Sequence, residues 1–465
     1  MTMRMRTGTD ACGITAGAHV ARDSPRRSCP WGVAACLATL LALPLLAAAQ
    51  GLDDTESRMV EWIDARLEDA VALLEETVDI QSGTLNLEGV TAVGAVMRRE
   101  LDALGFATEW IELPPAMQRA GHLVGRRDGD RGPKFLLIGH LDTVFEDGAP
   151  FARTGNVATG AGVVDMKGGN VVIVHALRAL REAGVLDGLS LAVIYTGDEE
   201  KPGEPLAVTR APLVELGKWA DVALGFEGAA HEDGVDYATV ARRSSSDWRL
   251  EVSGRQAHSS RVFSEEVGAG AIFEAARILA GFYDEVRGEE YLTFNAGAIV
   301  GGTDVEYDYE QNRGSAYGKT NVVPRKVVVH GGIRTISQEQ LERAREAMRR
   351  VVARHLPHTD ATIVFEDGYP PMAPTEGNRR LAAALSGINE ALGRGPMPLL
   401  DPSKRGAADI SFVAPYTDAL AGLGPAGEGS HSPHERLEVD SLALAAKRTA
   451  ILLYRLSRQE RAPIS

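Results

Sequence analysis

The sequence predicts a mixed α/β fold in which a domain with a mostly parallel sheet is interrupted by a smaller, two-layer α/β domain. Over residues 50–243, short apolar blocks bounded by turn residues alternate with segments of helical periodicity, as in parallel sheets covered by helices. From 244 to 360 the strands alternate in polarity, which is typical of a sheet with one solvated face. The first pattern resumes over 361–465. We therefore expect the two outer segments to form one domain around the inserted one.

Length, composition and charge narrow the class of protein. A chain of 465 residues exceeds what one hydrophobic core normally organises, which agrees with two domains. Its 44% hydrophobic and 6% aromatic residues indicate a globular protein. The formal net charge of -15 disfavours nucleic acid and anionic membrane surfaces as partners, because both carry charge of the same sign.

The N-terminal segment 1–49 is predicted to be a signal peptide. Arg26 and Arg27 precede the apolar run 31–46, and small alanines follow it, as a signal peptidase requires. We expect export to the periplasm or the medium, a mature chain that begins near Gln50, and no stable membrane anchor. The paired arginines leave the twin-arginine route open, and the length of the leading segment leaves the true start codon open.

All three cysteines, Cys12, Cys29 and Cys36, fall in this predicted signal peptide. The mature chain then has no disulfide and no thiolate that could act as a nucleophile or a metal ligand.

Periodicity predicts the individual elements in chain order. In the first segment we predict a helix from Met59 to Val78, strands at 135–139 and 191–195, and a helix from Gly169 to Ala183 between them. In the inserted domain we predict strands at 248–253 and 326–333, helices at 265–286 and 338–352, and a long loop at 301–318. The last segment has helical patterns at 378–392 and 442–456. Open sheets of this kind bind ligands at the carboxyl ends of their strands.

Five side chains that commonly bind metals follow these strands or occupy glycine-rich turns: His140, Asp165, Glu200, Glu227 and His431. Two imidazoles and three carboxylates suit a pair of zinc ions bridged by one carboxylate. Taken singly, each position has an ordinary alternative, such as a helix N-cap for the aspartate or a surface position for the histidine. His434 lies close to the last of the five, so either histidine of that loop is a candidate ligand.

Two further acidic residues lie beside these candidates. Asp142 is two residues after His140, so at a strand end both side chains start on the same face and the carboxylate can orient the imidazole. Glu199 directly precedes Glu200, and without a metal bond of its own it can act as a general base. Three consecutive acids at 198–200 are costly to bury unless cations neutralise them or water reaches them.

Three motifs carry a resemblance to a known family: GHLDTV at 139–144, GVVDMKGG at 162–169 and TGDEE at 196–200. They resemble the M20 peptidases, the aminoacylase and glutamate carboxypeptidase superfamily of co-catalytic zinc exopeptidases, and the resemblance extends over essentially all of the mature chain. It implies a zinc-binding α/β domain interrupted by a smaller α/β domain that serves as a lid and commonly for dimerisation.

The resemblance also implies roles for particular residues. One zinc takes His140, Glu227 and the bridging Asp165, and the other takes Asp165, Glu200 and His431. Asp142 becomes the partner of the first histidine, and Glu199 becomes the general base. In the inserted domain, His258 in SGRQAHS stabilises the oxyanion, often from a partner subunit, while Asn321 in TNVVP and Arg334 in GGIR bind substrate.

We therefore expect a zinc-dependent exopeptidase that hydrolyses the amide bond to a C-terminal amino acid, with two Zn²⁺ or, alternatively, Co²⁺ or Mn²⁺, acting as a homodimer on small substrates. An N-acyl amino acid amidohydrolase or a dipeptidase is the first alternative. A non-catalytic secreted binding protein is a distant second. Tyr369 stands where glutamate carboxypeptidases of the family tend to have an arginine, so the resemblance does not extend to a strict preference for glutamate.

Overall fold

The computed structural model describes residues 51–309 and 311–459. The predicted signal peptide, residues 1–49, lies outside the described residues.

The described chain contains helices and strands throughout. The helices are α1 Asp54–Ala65, α2 Leu67–Val78, α3 Leu87–Ala103, α4 Gly168–Glu182, α5 Leu206–Thr209, α6 Ala211–Trp219, α7 Ala271–Glu285, α8 Gln338–Val352, α9 Glu376–Ala391, α10 Ile410–Val413 and α11 Val439–Ser457. The strands are β1 Ala107–Glu112, β2 Gly121–Arg127, β3 Arg131–His140, β4 Ala152–Thr154, β5 Val157–Thr159, β6 Leu189–Thr196, β7 Val222–Gly225, β8 Ala230–Glu232, β9 Val235–Tyr237, β10 Ser245–Gly254, β11 Thr293–Gly302, β12 Asp304–Asp308, β13 Arg313–Tyr317, β14 Lys326–Arg334, β15 Thr359–Tyr369, β16 Asp418–Leu420, β17 Gly427–Glu428 and β18 Arg436–Glu438.

The larger sheet has six strands in the order β1-β2-β6-β3-β7-β16. The last four strands of that order run parallel, whereas β1 and β2 extend the sheet antiparallel. The fold class is therefore the predicted mixed α/β arrangement with a mostly parallel sheet.

Both faces of this sheet are buried, as its continuous apolar strands require. On β3, Phe135 and Leu137 face the core formed with α1, α2, α3, α4 and α11. The alternate residues Leu136 and Ile138 face the second core, which includes α6 and α10. Because successive side chains of a strand point to opposite faces, one short apolar run supplies both cores.

The second sheet has four antiparallel strands in the order β11-β14-β10-β15. Helices α7 and α8 pack on it around a separate core in which Trp248 meets Phe282 edge-on, with ring centroids 5.6 Å apart. Along β10 buried and more exposed residues alternate, in line with the predicted polarity pattern. The domain limits at 243/244 and 360/361 stay a prediction.

Two element predictions in this part of the chain are wrong. Helix α7 begins at Ala271 and not at residue 265, because Gly268 and Gly270 have φ angles of 72° and 78°, which no α-helix tolerates. The predicted loop 301–318 contains a hairpin of β12 and β13, although residue 310 at its turn is outside the described part. Strand β13 is exposed at all five positions, and in β12 only Val305 and Tyr307 are half-buried, so the apolar alternation is confined to one short strand.

No helix within 51–309 and 311–459 combines the length and the apolar character needed to cross a membrane.

A buried histidine links two helices of the main core. His175 of α4 is 1% exposed, and its ring packs against Trp62 of α1 with a centroid distance of 5.2 Å. Its Nε2 lies 3.4 Å from the carbonyl oxygen of Ile63, and its Nδ1 has no hydrogen-bond partner. Burial lowers the pKa of His175 from 6.5 to about 4. The folded protein thus holds this ring neutral at pH values where an unfolded chain protonates it.

We predict that His175 makes folding weaker in mild acid. Between pH 6.5 and pH 4 only the unfolded state binds a proton here, so stability falls as the pH falls through this window and then levels off below it. The full pKa difference lowers the free energy of unfolding by roughly 3 kcal/mol. In urea titrations from pH 7 to pH 4, His175→Leu should lose about that much less stability than the unsubstituted protein. Parallel pH dependences for the two proteins would contradict this assignment.

Candidate metal centre and active site

Three neighbouring parallel strands end at the same edge of the larger sheet. His140 is the last residue of β3 and pairs in register with Thr196, the last residue of β6. Strand β7 ends at Gly225, two residues before Glu227. Glu200 follows the end of β6 by four residues. The parallel topology therefore brings side chains that are far apart in the sequence to one place.

The other two candidate ligands come from turns. Asp165 lies in the turn 163–167 that leads directly into α4, whose first residue is Gly168. His431 lies in the loop before β18 and has a φ of 63°, an unusual conformation for a side-chain-bearing residue. Residues held in such conformations concentrate at functional sites.

The five predicted ligands converge into two groups that share Asp165. Its Oδ1 is 3.3 Å from His140 Nε2, and its Oδ2 is 3.1 Å from His431 Nε2. Glu227 Oε1 lies 3.8 Å from the first imidazole, and Glu200 Oε2 lies 3.1 Å from the second. One carboxylate thus faces both groups with one oxygen each, which is the arrangement that a bridging ligand requires. The role of these residues as metal ligands stays a prediction.

The donor atoms fit divalent cations. In each group one nitrogen and two carboxylate oxygens lie within 4.8 Å of one another, and such mixed donors suit zinc and related metals. Glu200 Oε1 is buried without a hydrogen-bond partner, so it lacks the compensation that a buried carboxylate oxygen needs. A third grouping contains His140, Glu199 and Glu200, so proximity alone also permits Glu199 as a ligand.

Asp142 holds the two glutamates in place as well as the first histidine. Its carboxylate accepts hydrogen bonds from the backbone N–H groups of Glu199 and Glu200 at 3.0 and 3.1 Å, and from the hydroxyl of Thr84 at 2.7 Å. His140 Nδ1 lies 3.0 Å from the backbone oxygen of Asp142 and 3.4 Å from its carboxylate. The contacts of Asp142 therefore extend from the first imidazole to the acidic turn, and its orienting role stays a prediction.

Glu435 is a supporting residue whose role the sequence did not reveal. Its buried carboxylate accepts backbone hydrogen bonds from Gly162, Val164 and Asp165 at 2.8–2.9 Å. It therefore connects the loop that carries His431 to the turn that carries the shared carboxylate. The only sequence signal was its position in the same GSHSPHE motif.

A second support that the sequence did not predict lies behind Glu199. The fully buried Arg210 forms ion pairs with Asp198 and with Asp409, the latter at 2.7 Å. It also donates a 2.6 Å hydrogen bond to the hydroxyl of Tyr369, which in turn donates a 2.9 Å hydrogen bond to the backbone oxygen of Glu199. Tyr369 is the last residue of β15, so this network connects the smaller sheet to the acidic turn.

The protein's own charges shift the pKa values of these groups. Burial raises the pKa of Glu199 well above its usual range, and the negative charges of Glu227 and Asp409 add to this effect. Hydrogen bonds to Asp165 and Glu200 raise the pKa of His431 to about 10. Burial acts to lower the pKa of His140, but the carboxylates of Asp142 and Asp165 outweigh it and raise that pKa. The raised pKa values of the two histidines show that the surrounding carboxylates stabilise positive charge at this place.

A cavity of about 330 Å³ opens beside both groups, and Glu199 lines it together with Asp165, Glu200, Glu227 and His431. The other five predicted residues do not line it. His140 and Asp142 are fully buried, and three residues of the predicted inserted domain lie elsewhere. His258 and Asn321 are exposed and adjacent to each other, because the N–H of Ser259 donates to the oxygen of Asn321. Arg334 lies in a separate groove between β10, β11 and β14.

Known proteins share this architecture. A family model described as peptidase family M20/M25/M40 matches residues 136–455. Carboxypeptidase G2 of Pseudomonas sp. (strain RS-16) is 27% identical over 369 residues, which cover 78% of this chain and 83% of that protein. Succinyl-diaminopimelate desuccinylase of Alkalilimnicola ehrlichii is 26% identical over 390 residues, which cover 79% of this chain and 96% of that protein.

Among solved structures, the YXEP protein of Bacillus subtilis is described as a dinuclear metal binding peptidase from the M20 family. It matches with a TM-score of 0.56 at 15% sequence identity, over 84% of this chain and 98% of that chain. This similarity shows that the fold is shared.

We predict that Glu435→Gln weakens metal binding. An amide retains one acceptor oxygen but points an N–H₂ group at a backbone donor, so the turn that carries Asp165 loses its fixed position. Supporting residues of this kind typically contribute 10-fold to 100-fold to metal affinity. Competition with a chromophoric chelator measures the Kd of added Zn²⁺. The exposed Glu438, substituted in the same way, is the matched control and should leave affinity unchanged; equal affinities for all three proteins would refute the supporting role.

Proposed function

The chain belongs to peptidase family M20/M25/M40, and from that premise we propose that it is a two-zinc exopeptidase that hydrolyses the amide bond to a C-terminal amino acid. Members of this family are metal-dependent peptidases and amidohydrolases. The observation that carries the proposal is the position of Glu199, whose carboxylate lines the same cavity as both candidate metal groups.

We assign one cation to His140, Asp165 and Glu227, and the other to Asp165, Glu200 and His431. When bound, two such cations lower the pKa of a shared water and polarise the scissile carbonyl. Zn²⁺ is the cation that this donor set suits best, and Co²⁺ or Mn²⁺ are substitutes for it.

Glu199 is the proposed general base. Its backbone is held from both sides, through its N–H by Asp142 and through its oxygen by Tyr369. Its carboxylate forms no hydrogen bond with any of the described residues, so it is free to exchange a proton. In the proposed reaction this carboxylate takes a proton from the attacking water and delivers it to the leaving nitrogen.

The proposal includes a homodimer formed through the inserted domain. In one chain His258 is exposed and does not line the cavity, so a partner subunit is the proposed source of the histidine that stabilises the oxyanion. Helix α7 exposes the large apolar side chains Ile272, Phe273 and Tyr283, which are suitable contacts for such an interface. Export through the N-terminal segment 1–49 is part of the same proposal.

An N-acyl amino acid amidohydrolase is the second candidate, since a desuccinylase is among the relatives. A dipeptidase remains the third. A screen of N-acyl amino acids, dipeptides with free amino termini and longer peptides, with release of the C-terminal amino acid as the readout, separates the three. A chelator control shows whether release of the amino acid depends on metal. Absence of hydrolysis for every compound of the panel would refute the proposal.

We predict that Glu199→Gln retains both metals but loses nearly all turnover. The amide is isosteric and cannot accept the proton, and loss of a positioned base typically lowers kcat by about 100-fold to 10,000-fold. Metal content by mass spectrometry and steady-state kinetics measure the two parts separately. Glu215→Gln on the surface of α6 is the matched control. A zinc-loaded variant with full activity removes the assigned role.

We predict a smaller kinetic effect for Tyr369→Phe. The ring keeps its packing against Phe412, with centroids 4.9 Å apart, but the hydrogen bond donated to Glu199 and the one accepted from Arg210 are both lost. We expect kcat to fall about 5-fold, because the lost hydrogen bond to Glu199 contributes roughly 1 kcal/mol, while KM changes less than twofold. A change in KM alone would mean that the hydroxyl contacts substrate and does not position the base.

A further inference from the structure

Positive side chains line the cavity alongside its acidic residues. Arg242, Lys404 and Arg405 contribute to the wall, near the candidate metal ligands. Arg242 is 6% exposed and Arg405 is half-buried. Such charges are expected to be neutralised by a neighbouring carboxylate, because an unpaired buried charge is costly.

Only Lys404 of these three has an ion-pair partner among the described residues. It contacts Glu232 on the strand β8. Arg242 donates from Nε to the backbone oxygen of Gly406 at 2.6 Å, with a longer contact of 3.4 Å to Ala407.

Arg405 forms fewer hydrogen bonds than Arg242. Its Nη2 donates a 2.9 Å hydrogen bond to the backbone oxygen of Gly228, next to the candidate ligand Glu227. Within the described part of the chain, neither Arg405 nor Arg242 has a carboxylate oxygen within 4.0 Å, although Glu227 and Asp165 act on Arg405 at longer range. Burial lowers the pKa of Arg405, and the charge of Arg242 lowers it further.

The carboxylates of the cavity do not supply the missing partner. The four of them are Asp165, Glu199, Glu200 and Glu227, which are the candidate metal ligands and the proposed base. None of their oxygens lies within ion-pair distance of Arg242 or Arg405. An anion that enters the cavity is therefore a suitable direct partner for the two guanidinium groups.

We propose that Arg405, with Arg242 beside it, binds an anionic group of the substrate, so that preferred substrates carry a carboxylate in addition to the α-carboxylate of their C-terminal residue. This inference rests on the proposed function of the same cavity. A guanidinium fork has the planar geometry for two parallel hydrogen bonds to a carboxylate.

Arg334 is a separate cation in the groove between β10, β11 and β14. Its Nη1 approaches Gly406, which lines the cavity. The resemblance assigns Arg334 to a substrate carboxylate, and its exposed position suits the α-carboxylate of the C-terminal residue. On that assignment, the group bound by Arg405 is a second one. Two sources supply it: an acidic side chain on the leaving amino acid, or a carboxylate at the far end of a dicarboxylic acyl group.

Two matched pairs of substrates test the proposal and distinguish the sources. N-acetylglutamate against N-acetylglutamine varies the charge on the leaving side, and N-succinylleucine against N-succinamoylleucine varies it on the acyl side. We expect the charged member of one pair to have a kcat/KM at least 10-fold higher than its neutral counterpart. Arg405→Gln should lower kcat/KM for that charged member by about 10-fold to 100-fold, as loss of a charge-assisted hydrogen bond does, and change the neutral member less than threefold. Lys404→Gln, which removes a cation already paired with Glu232, is the matched control and should affect both members equally.

A binding measurement separates failure of this inference from failure of the proposed function. If the unsubstituted protein hydrolyses none of the four compounds, calorimetry with succinate and succinamate still tests Arg405 directly on protein of verified metal content. Tighter binding of succinate that Arg405→Gln abolishes supports the anion site. Equal losses for charged and neutral substrates, no preference in either pair, or succinate binding that is unchanged in Arg405→Gln would each overturn it.

Discussion

The structure depends on one electrostatic constraint: several carboxylates meet at a single edge of the main sheet and repel one another. Asp165, Glu199, Glu200 and Glu227 line one cavity, with Asp142 buried behind them. Concentrated negative charge of this kind is tolerated only where cations and hydrogen-bond donors compensate it. The two histidines, the backbone donors and the proposed metals are the compensation.

The surrounding fold is arranged to supply that compensation from distant parts of the chain. Asp142 and Glu435 use their carboxylates to bind backbone N–H groups, and so fix the turns that present Glu199, Glu200 and Asp165. Arg210 provides a buried positive charge behind the same turn. Because these supports come from both sides of the inserted sheet in the sequence, the site exists only when the outer segments form one domain.

The sequence was sufficient where local patterns carry the information. Strands β3 and β6 were predicted because their apolar runs are short and bounded by turn residues, and the candidate ligands were found because they follow such strands. The roles of Glu435 and Arg210 were not predicted. Each of them contacts a residue about 200 or more positions away in the sequence, and hydrophobic periodicity carries no information about such contacts. The hairpin of β12 and β13 was missed because β13 is wholly exposed and the alternation in β12 involves only two apolar residues. The start of α7 was missed because glycine conformations leave no apolar pattern.

The central claim is that Asp165 is shared by two metal positions. Titration of metal-free protein with Zn²⁺, followed by mass spectrometry under non-denaturing conditions, tests it most directly when the unsubstituted protein is compared with Asp165→Asn and His431→Ala. The account predicts two bound ions in the unsubstituted protein, one in His431→Ala, and loss of tight binding at both positions in Asp165→Asn. Two tightly bound ions in Asp165→Asn, or only one in the unsubstituted protein, would contradict it.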